Sequence, residues 1–211
     1  MSSPERSILS GTSLVSFGHG ISPDLGQDIL DCLLYAQLKA DEQHTSKRSW
    51  RPWFYEYQMS ISASGARPHE RLDDDRLEIQ SLRDLDRLPL RSSLYSPELR
   101  DLFRASLEAL VASDHAQTFF NSWFTSGRSE SFQVVPCTRH NDDQVTLMMC
   151  GLQLTTSALR PAFLFWQALS GQMIVDVAGG AFRFSRRAFD PFRDAVGEAL
   201  SRHALKRVIE L

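Results

Sequence analysis

The chain has 211 residues, of which 42% are apolar and 10% aromatic, so it can bury a sizeable core within one domain. Its formal net charge of −3 argues against a general nucleic-acid-binding protein, which would carry a basic excess. No apolar run approaches the roughly 20 residues that cross a bilayer as a helix. We therefore expect a single domain over residues 1–211, with no transmembrane helix and no nucleic acid as a partner.

The first 20 residues are polar and rich in serine and glycine. They lack the basic start and the continuous apolar stretch of a secretory signal peptide. We expect this N-terminal segment to be loosely ordered. We also expect synthesis in the cytoplasm, so that any export would depend on a dedicated system.

Ser22-Pro23-Asp24 is typical of a helix start, because serine caps, proline suits the first helical position and aspartate favours the positive end of the dipole. The apolar spacing that follows predicts a core helix over residues 23–43. The aromatic stretch from Trp50 to Tyr57 predicts a short helix or turn. The alternation in residues 58–62 then predicts a strand.

Residues 66–93 are the most polar part of the chain and predict a surface excursion with a short strand near residues 77–80. Ser96-Pro97-Glu98 repeats the helix-start pattern and predicts a second helix over residues 97–113. A third helix is predicted over residues 187–209 from its apolar spacing.

Between the last two helices the pattern changes to alternating and apolar strands joined by short connections, which favours an antiparallel meander. The predicted strands cover residues 132–137, 145–155, 162–169 and 173–177 with 181–184. The predicted fold class is therefore α+β: an antiparallel sheet with a C-terminal meander packs with three main helices in a single domain.

The three cysteines, Cys32, Cys137 and Cys150, form an odd set without a CxxC pair, so we expect free thiols. Cys137 follows a predicted strand and Pro136, and it precedes a polar turn. Its residue type allows a small buried hydrophobe, a covalently modified thiol, or a nucleophile activated by a histidine. The histidines considered are His19, His115 and His140.

Metal binding is not expected. Cys137, His140 and Asp142 lie on one turn and do not make a closed site. The triplet Asp73-Asp74-Asp75 lacks the loop glycine and distal glutamate of a calcium-binding EF-hand, so a solvated loop is expected there.

Three stretches together resemble the Evf virulence-factor family. The first joins Ser16-Phe17-Gly18 and Ile21-Ser22-Pro23 to the helix residues 27–38, the second is residues 132–137 (FQVVPC), and the third is residues 163–166 (FLFW) before the closing helix. They span most of the chain in the family's order. The charged region from Arg67 to Leu90 departs from the pattern.

The resemblance implies an α/β virulence or colonisation factor without established enzymatic activity. It also implies a palmitate, a long-chain fatty acyl group, in thioester linkage to one buried cysteine. The cysteine that matches the family position is Cys137, whereas Cys32 lies mid-helix and Cys150 mid-strand. The acyl tunnel is then expected to be lined by Phe163, Phe165, Trp166, Leu33 and Ile29. Because strand side chains alternate, either Phe163 and Phe165 or Leu164 and Trp166 reach it.

Two other functions stay open. A partner-binding or immunity protein would show an exposed apolar patch around Trp50–Tyr57. An acyltransferase or hydrolase would use Cys137 with a histidine.

The C-terminal part of the chain has a basic excess, since residues 150–211 carry 8 Lys/Arg against 5 Asp/Glu, a net +3. Four of these arginines lie near the last helix, where they could contact a membrane surface or a host factor. They are Arg183, Arg186, Arg187 and Arg193.

Overall fold

The computed structural model describes residues 6–45, 49–79, 84–85, 96–113, 129–156, 173–203 and 208–210. Within them the chain forms a single-domain α+β fold with a seven-stranded, mostly antiparallel sheet. The predicted fold class is confirmed. The strand predicted over residues 162–169 lies outside the described residues.

The two serine-proline signals begin helices where they were predicted. Helix α1 covers Pro23–Gln43. The third helix along the chain, α3, covers Pro97–Ala112. In each, the serine before the proline accepts a hydrogen bond from a backbone N–H of the first turn, at 3.3 Å for Ser22 and 3.2 Å for Ser96. Short-range capping therefore determines both starts.

Helix α2 covers Trp50–Ala63, so the helix alternative is confirmed for residues 50–57 and the strand predicted over residues 58–62 is wrong. The buried residues of this segment recur at helical spacing and place one face in the core. They are Trp50, Trp53, Phe54, Tyr57 and Ile61. Alternation over five residues was too short to distinguish a strand from the last turns of this helix.

The strands are β1 (Arg6–Ser10), β2 (Ser13–Phe17), β3 (Ala66–Ile79), β4 (Ser129–Arg139), β5 (Gln144–Thr156), β6 (Met173–Ser185) and β7 (Val208–Glu210). Their order in the sheet is β3-β6-β5-β4-β2-β1-β7. Strands β4, β5 and β6 form the expected antiparallel meander, with 173–177 and 181–184 joined in one strand. Strands β2 and β4 are parallel.

The N-terminal segment was expected to be loosely ordered, and over residues 6–17 this expectation is wrong. These residues form the β1–β2 hairpin, which turns at Gly11 with φ of 58°. Three of its four serines are buried and hydrogen-bonded across the structure, Ser7 to Ser16 and Ser13 to the Tyr57 hydroxyl at 2.8 Å, whereas the buried Ser10 hydroxyl has no partner among the described residues. A segment that is polar by composition is ordered here because its hydroxyls pair with one another.

The predicted lengths of one strand and of the last helix are also wrong. Strand β3 runs for 14 residues along β6, where a surface excursion with a short strand was expected. The predicted helix over residues 187–209 is instead α4 (Arg186–Phe189), a 3-10 turn (Asp190–Phe192) and α5 (Arg193–Arg202). The β-branched Val208 and Ile209 then pair with β1, which a helix ending at residue 209 would prevent.

The sheet has a helical layer on each face. Helices α1 and α2, with residues of α4 and α5, cover one face, which we call the α1–α2 layer. Helix α3 covers the other. Side chains of β4 alternate between the two, with Val135 and Cys137 in the α1–α2 layer and Phe132 and Val134 on the α3 side.

Candidate functional site

Cys137 lies inside strand β4, two residues before the strand ends. It is paired with Phe17 of β2 on one side and with Leu147 of β5 on the other. Its carbonyl oxygen accepts a hydrogen bond from the Gly18 N–H at 2.9 Å. The backbone around the thiol is therefore held on both sides.

The side chain of Cys137 has 0% exposure and lies in the α1–α2 layer. Ile29 and Leu33 of α1, which were predicted to share its environment, belong to the same apolar cluster. The thiol donates a hydrogen bond to the Val135 carbonyl oxygen, with Sγ 3.4 Å from it. The other predicted lining residues, Phe163, Phe165 and Trp166, lie outside the described residues.

Burial raises the pKa of the Cys137 thiol, and no charged neighbour opposes this rise. A nucleophilic cysteine needs a base or a cation that lowers its pKa. His140 is exposed in the turn after β4, and His115 lies outside the described residues. The environment of Cys137 therefore favours a protonated thiol over a catalytic thiolate.

The hydroxyl of Tyr57 is a buried polar group in this layer that sequence reasoning missed. Burial raises the pKa of Tyr57 most, the hydrogen bond with Ser13 lowers it, and the neighbouring Cys32 and Cys137 raise it further. Tyr57 belongs to the same buried cluster as both cysteines. The helical spacing of the aromatic stretch was the available signal, since it places Tyr57 on the buried face with Trp53 and Phe54.

All three cysteines are free and buried. Burial raises the pKa of Cys32 and of Cys150 to about 12. Cys150 lies on the α3 side of the sheet, on the strand next to that of Cys137. It is therefore a matched control for Cys137, with the same burial and a different environment.

The raised thiol pKa values predict a loss of stability at alkaline pH. A thiol whose pKa is higher in the folded protein than its unfolded value of about 8.5 stabilises the fold fully below pH 8.5. This contribution is lost as the pH rises toward the folded-state pKa. Each such thiol should lower the free energy of unfolding by about 1.4 kcal/mol per pH unit above pH 9. Urea unfolding at pH 8, 9 and 10 measures this slope. Cys150→Ser should make it shallower, and an unchanged slope would contradict the prediction.

In the described part of the chain, no group of three or more His, Cys, Asp or Glu side chains is placed to hold a metal ion. A pocket of about 390 Å³ lies between α2 and the edge of the sheet. Neither this pocket nor a second one at the end of the sheet is lined by Cys137, Ile29 or Leu33. The first is lined by Arg51, Phe54, Tyr55, Gln58, Pro68, His69, Glu70, Arg71, Asp74, Ala178, Gly179, Gly180 and Phe182.

The aromatic stretch that a partner-binding protein was expected to expose mostly faces inward. Trp50, Trp53, Phe54 and Tyr57 are buried, whereas Tyr55 is 59% exposed. Met59, one helical turn later, is 48% exposed. Two side chains one turn apart are common on ordinary surfaces and do not form an extended apolar patch.

Two of the four C-terminal arginines form ion pairs with one buried carboxylate. Asp28 of α1 lies 3.0 Å from Arg193 and 3.5 Å from Arg186. Burial raises the pKa of Asp28, and these two guanidinium groups oppose the rise. The pairs attach α4 and α5 to α1, so these two arginines are not free cations on a surface.

None of the described helices has the length and apolar character needed to span a membrane. No protein-family model and no curated protein matches the chain. The expected resemblance to the Evf family stays a prediction.

Two solved structures show a distant similarity. A delta-endotoxin has 9% sequence identity and a TM-score of 0.47, over 82% of this chain and 80% of that chain. The activated Cyt2Ba monomer from Bacillus thuringiensis subsp. israelensis has 10% identity and a TM-score of 0.49, over 84% of this chain and 98% of that chain. At this level of similarity, the function has to be argued from the residues of this chain.

Proposed function

We propose that the protein is a non-enzymatic virulence or colonisation factor that carries a long-chain fatty acyl group, palmitate in the family it resembles, in thioester linkage on Cys137. The observation that carries the proposal is the position of this sulfur, fully buried in the apolar layer with Ile29 and Leu33. Burial also raises the pKa of this thiol, which supports a structural attachment point over a catalytic nucleophile.

The neighbourhood of Cys137 suits a hydrocarbon chain. The hydroxyl of Tyr57, which belongs to the same apolar layer, is already hydrogen-bonded to Ser13. A methylene chain in this layer would leave that polar group paired, and each buried methylene stabilises by about 0.8 kcal/mol. The surrounding residues therefore fit the group in chemical character.

The burial of Cys137 also determines whether acylation takes place before or after folding. In the reaction, the cysteine sulfur attacks the carbonyl carbon of an activated acyl thioester. A bond forms between this carbon and the Cys137 sulfur while the carbon–sulfur bond of the donor thioester breaks. The thiol proton passes to the departing thiolate. A donor cannot reach a sulfur with 0% exposure. Acylation must therefore precede the packing of α1 and α2 onto the sheet, and the tail is enclosed as the fold closes.

The proposal predicts the number of reactive thiols in the unfolded protein. Of the three cysteines, one should be blocked, so two should react with iodoacetamide in denaturant and all three after neutral hydroxylamine. Intact-protein mass spectrometry should show one palmitoyl mass before hydroxylamine and none after it, because hydroxylamine cleaves thioesters.

The matched variants are Cys137→Ser and Cys150→Ser. The first should lose the acyl mass, while the second should keep it, because Cys150 is equally buried on the opposite face of the sheet. If the wild-type protein has no added mass and three reactive thiols without hydroxylamine, the proposal is wrong and Cys137 is an ordinary buried side chain.

A further inference from the structure

A second pocket, of about 450 Å³, lies where strands β3, β5 and β6 meet helix α4. It is polar, and none of its lining residues is acidic. The lining consists of Gly65, Arg67, Pro68, His69, Gln144, Arg183, Ser185 and Ala188.

Two arginines face each other across this pocket. Arg67 of β3 is paired directly with Arg183 of β6 in the antiparallel register. Like charges on directly opposed residues destabilise a sheet unless something neutralises them. Among the described residues, neither arginine forms an ion pair with an acidic side chain. The fold therefore brings two positive charges together, and no described acidic side chain is paired with either of them.

One donor of Arg183 has no partner among the residues that the structure describes. The Nε atom of Arg183 is buried and makes no hydrogen bond within the described structure. An unsatisfied buried donor on a charged group costs stability and is rarely left in native proteins. Arg183 lies between Phe182 and Phe184 on β6, both packed in the α1–α2 layer, so its side chain is on the opposite face.

Polar side chains without a carboxylate surround the two arginines. His69 follows Arg67 by two residues, and Gln144 is paired with Ser185 on the neighbouring strands. Asp143, which precedes Gln144 in the sequence, does not line the pocket. Its carboxylate accepts hydrogen bonds from the Ser185 hydroxyl at 2.8 Å and from the Arg187 N–H at 3.1 Å. Asp143 therefore orients Ser185, and in the described part of the chain it forms no direct ion pair with Arg67 or Arg183.

We propose that this pocket binds an oxyanion of the phosphate class through Arg67 and Arg183. A guanidinium group presents a planar fork of donors that matches phosphate oxygens, and two such groups suit a doubly charged anion. The volume of about 450 Å³ admits a phosphate together with an attached organic group. The phosphate can be free in solution or part of a lipid headgroup, which the experiment distinguishes. The proposal is independent of the acyl group on Cys137.

The test uses the full chain and inorganic phosphate, titrated by calorimetry at constant ionic strength. Wild-type protein should bind phosphate, and Arg183→Gln should weaken binding about tenfold, the loss typical of one charge-assisted hydrogen bond. Arg202→Gln removes the same charge from an exposed position on α5 and should leave the affinity unchanged. Without phosphate, Arg183→Gln should melt no lower than wild type, because the variant relieves the repulsion from Arg67.

A second arm uses phosphatidylcholine vesicles with and without phosphatidic acid. Binding only to the vesicles that contain phosphatidic acid, lost in Arg183→Gln and kept in Arg202→Gln, would support the proposal with a lipid as the source of the phosphate. Phosphate binding that Arg183→Gln alone weakens would support it with a soluble ligand. The proposal is overturned if neither probe binds, if the two variants weaken binding equally, or if Arg183→Gln lowers the melting temperature without phosphate.

Discussion

Replacing Trp53 by alanine is expected to lower the free energy of unfolding by about 4 kcal/mol, the size of other buried tryptophan-to-alanine changes. Trp53 is 1% exposed and its ring stacks on that of Tyr57 with centroids 5.2 Å apart. Its indole N–H donates a hydrogen bond to Asp41 of α1 at 2.7 Å. The variant therefore loses core volume and also removes a donor from a partly buried carboxylate. Urea unfolding measures the change.

Tyr55→Ala is the control for this prediction. Tyr55 lies two residues along the same helix and is 59% exposed, so its removal should change the free energy of unfolding by less than about 0.5 kcal/mol. Equal losses in the two variants would mean that α2 does not present its Trp53 face to the core, and the environment assigned to Cys137 would then be wrong.

Gly179→Ala is expected to destabilise the sheet by about 3 kcal/mol, at the upper end of overpacking costs. A Cβ atom at this position would lie 2.2 Å from the Met149 carbonyl oxygen and 2.6 Å from the Leu72 side chain. The first neighbour is backbone within the sheet and cannot move aside as a flexible side chain would. Relief therefore requires a shift of β6 relative to β5, which thermal or urea unfolding should detect.

Gly197→Ala is the control for this prediction, because the same glycine-to-alanine change is expected to raise stability at this position. Gly197 lies in α5 with nothing within 4 Å of the position of its missing Cβ. Alanine there should stabilise by about 0.5–1 kcal/mol, because it restricts the unfolded chain and favours helix. If both glycine variants are destabilised alike, the close approach of β5 to Gly179 is not the cause.

Some elements were predictable because their determinants lie close together along the chain. The starts of α1 and α3 depend on a serine and on backbone N–H groups three residues away. The meander of β4, β5 and β6 follows from alternation, although the strand expected before β6 lies outside the described residues. Cys137 could be singled out from its position beside Pro136, and its burial agrees with two of the environments considered.

Other features depend on residues that are far apart in the sequence. The hairpin of β1 and β2 looks polar, and the pairing of Ser7 with Ser16 and of Ser13 with Tyr57 makes its burial favourable. The parallel pairing of β2 with β4 places Phe17 beside Cys137, although the two residues are far apart in the sequence. No local pattern specifies this pairing.

The sequence by itself determined the starts of α1 and α3 and the alternation of the meander, because capping and periodicity act over a few neighbouring residues. Only the tertiary structure decided that Cys137 shares a layer with Tyr57, and that Arg67 is paired with Arg183 in the sheet. The physical reason is that strand register and burial are set by contacts between distant segments, where a shift of one residue would reverse the face of every side chain.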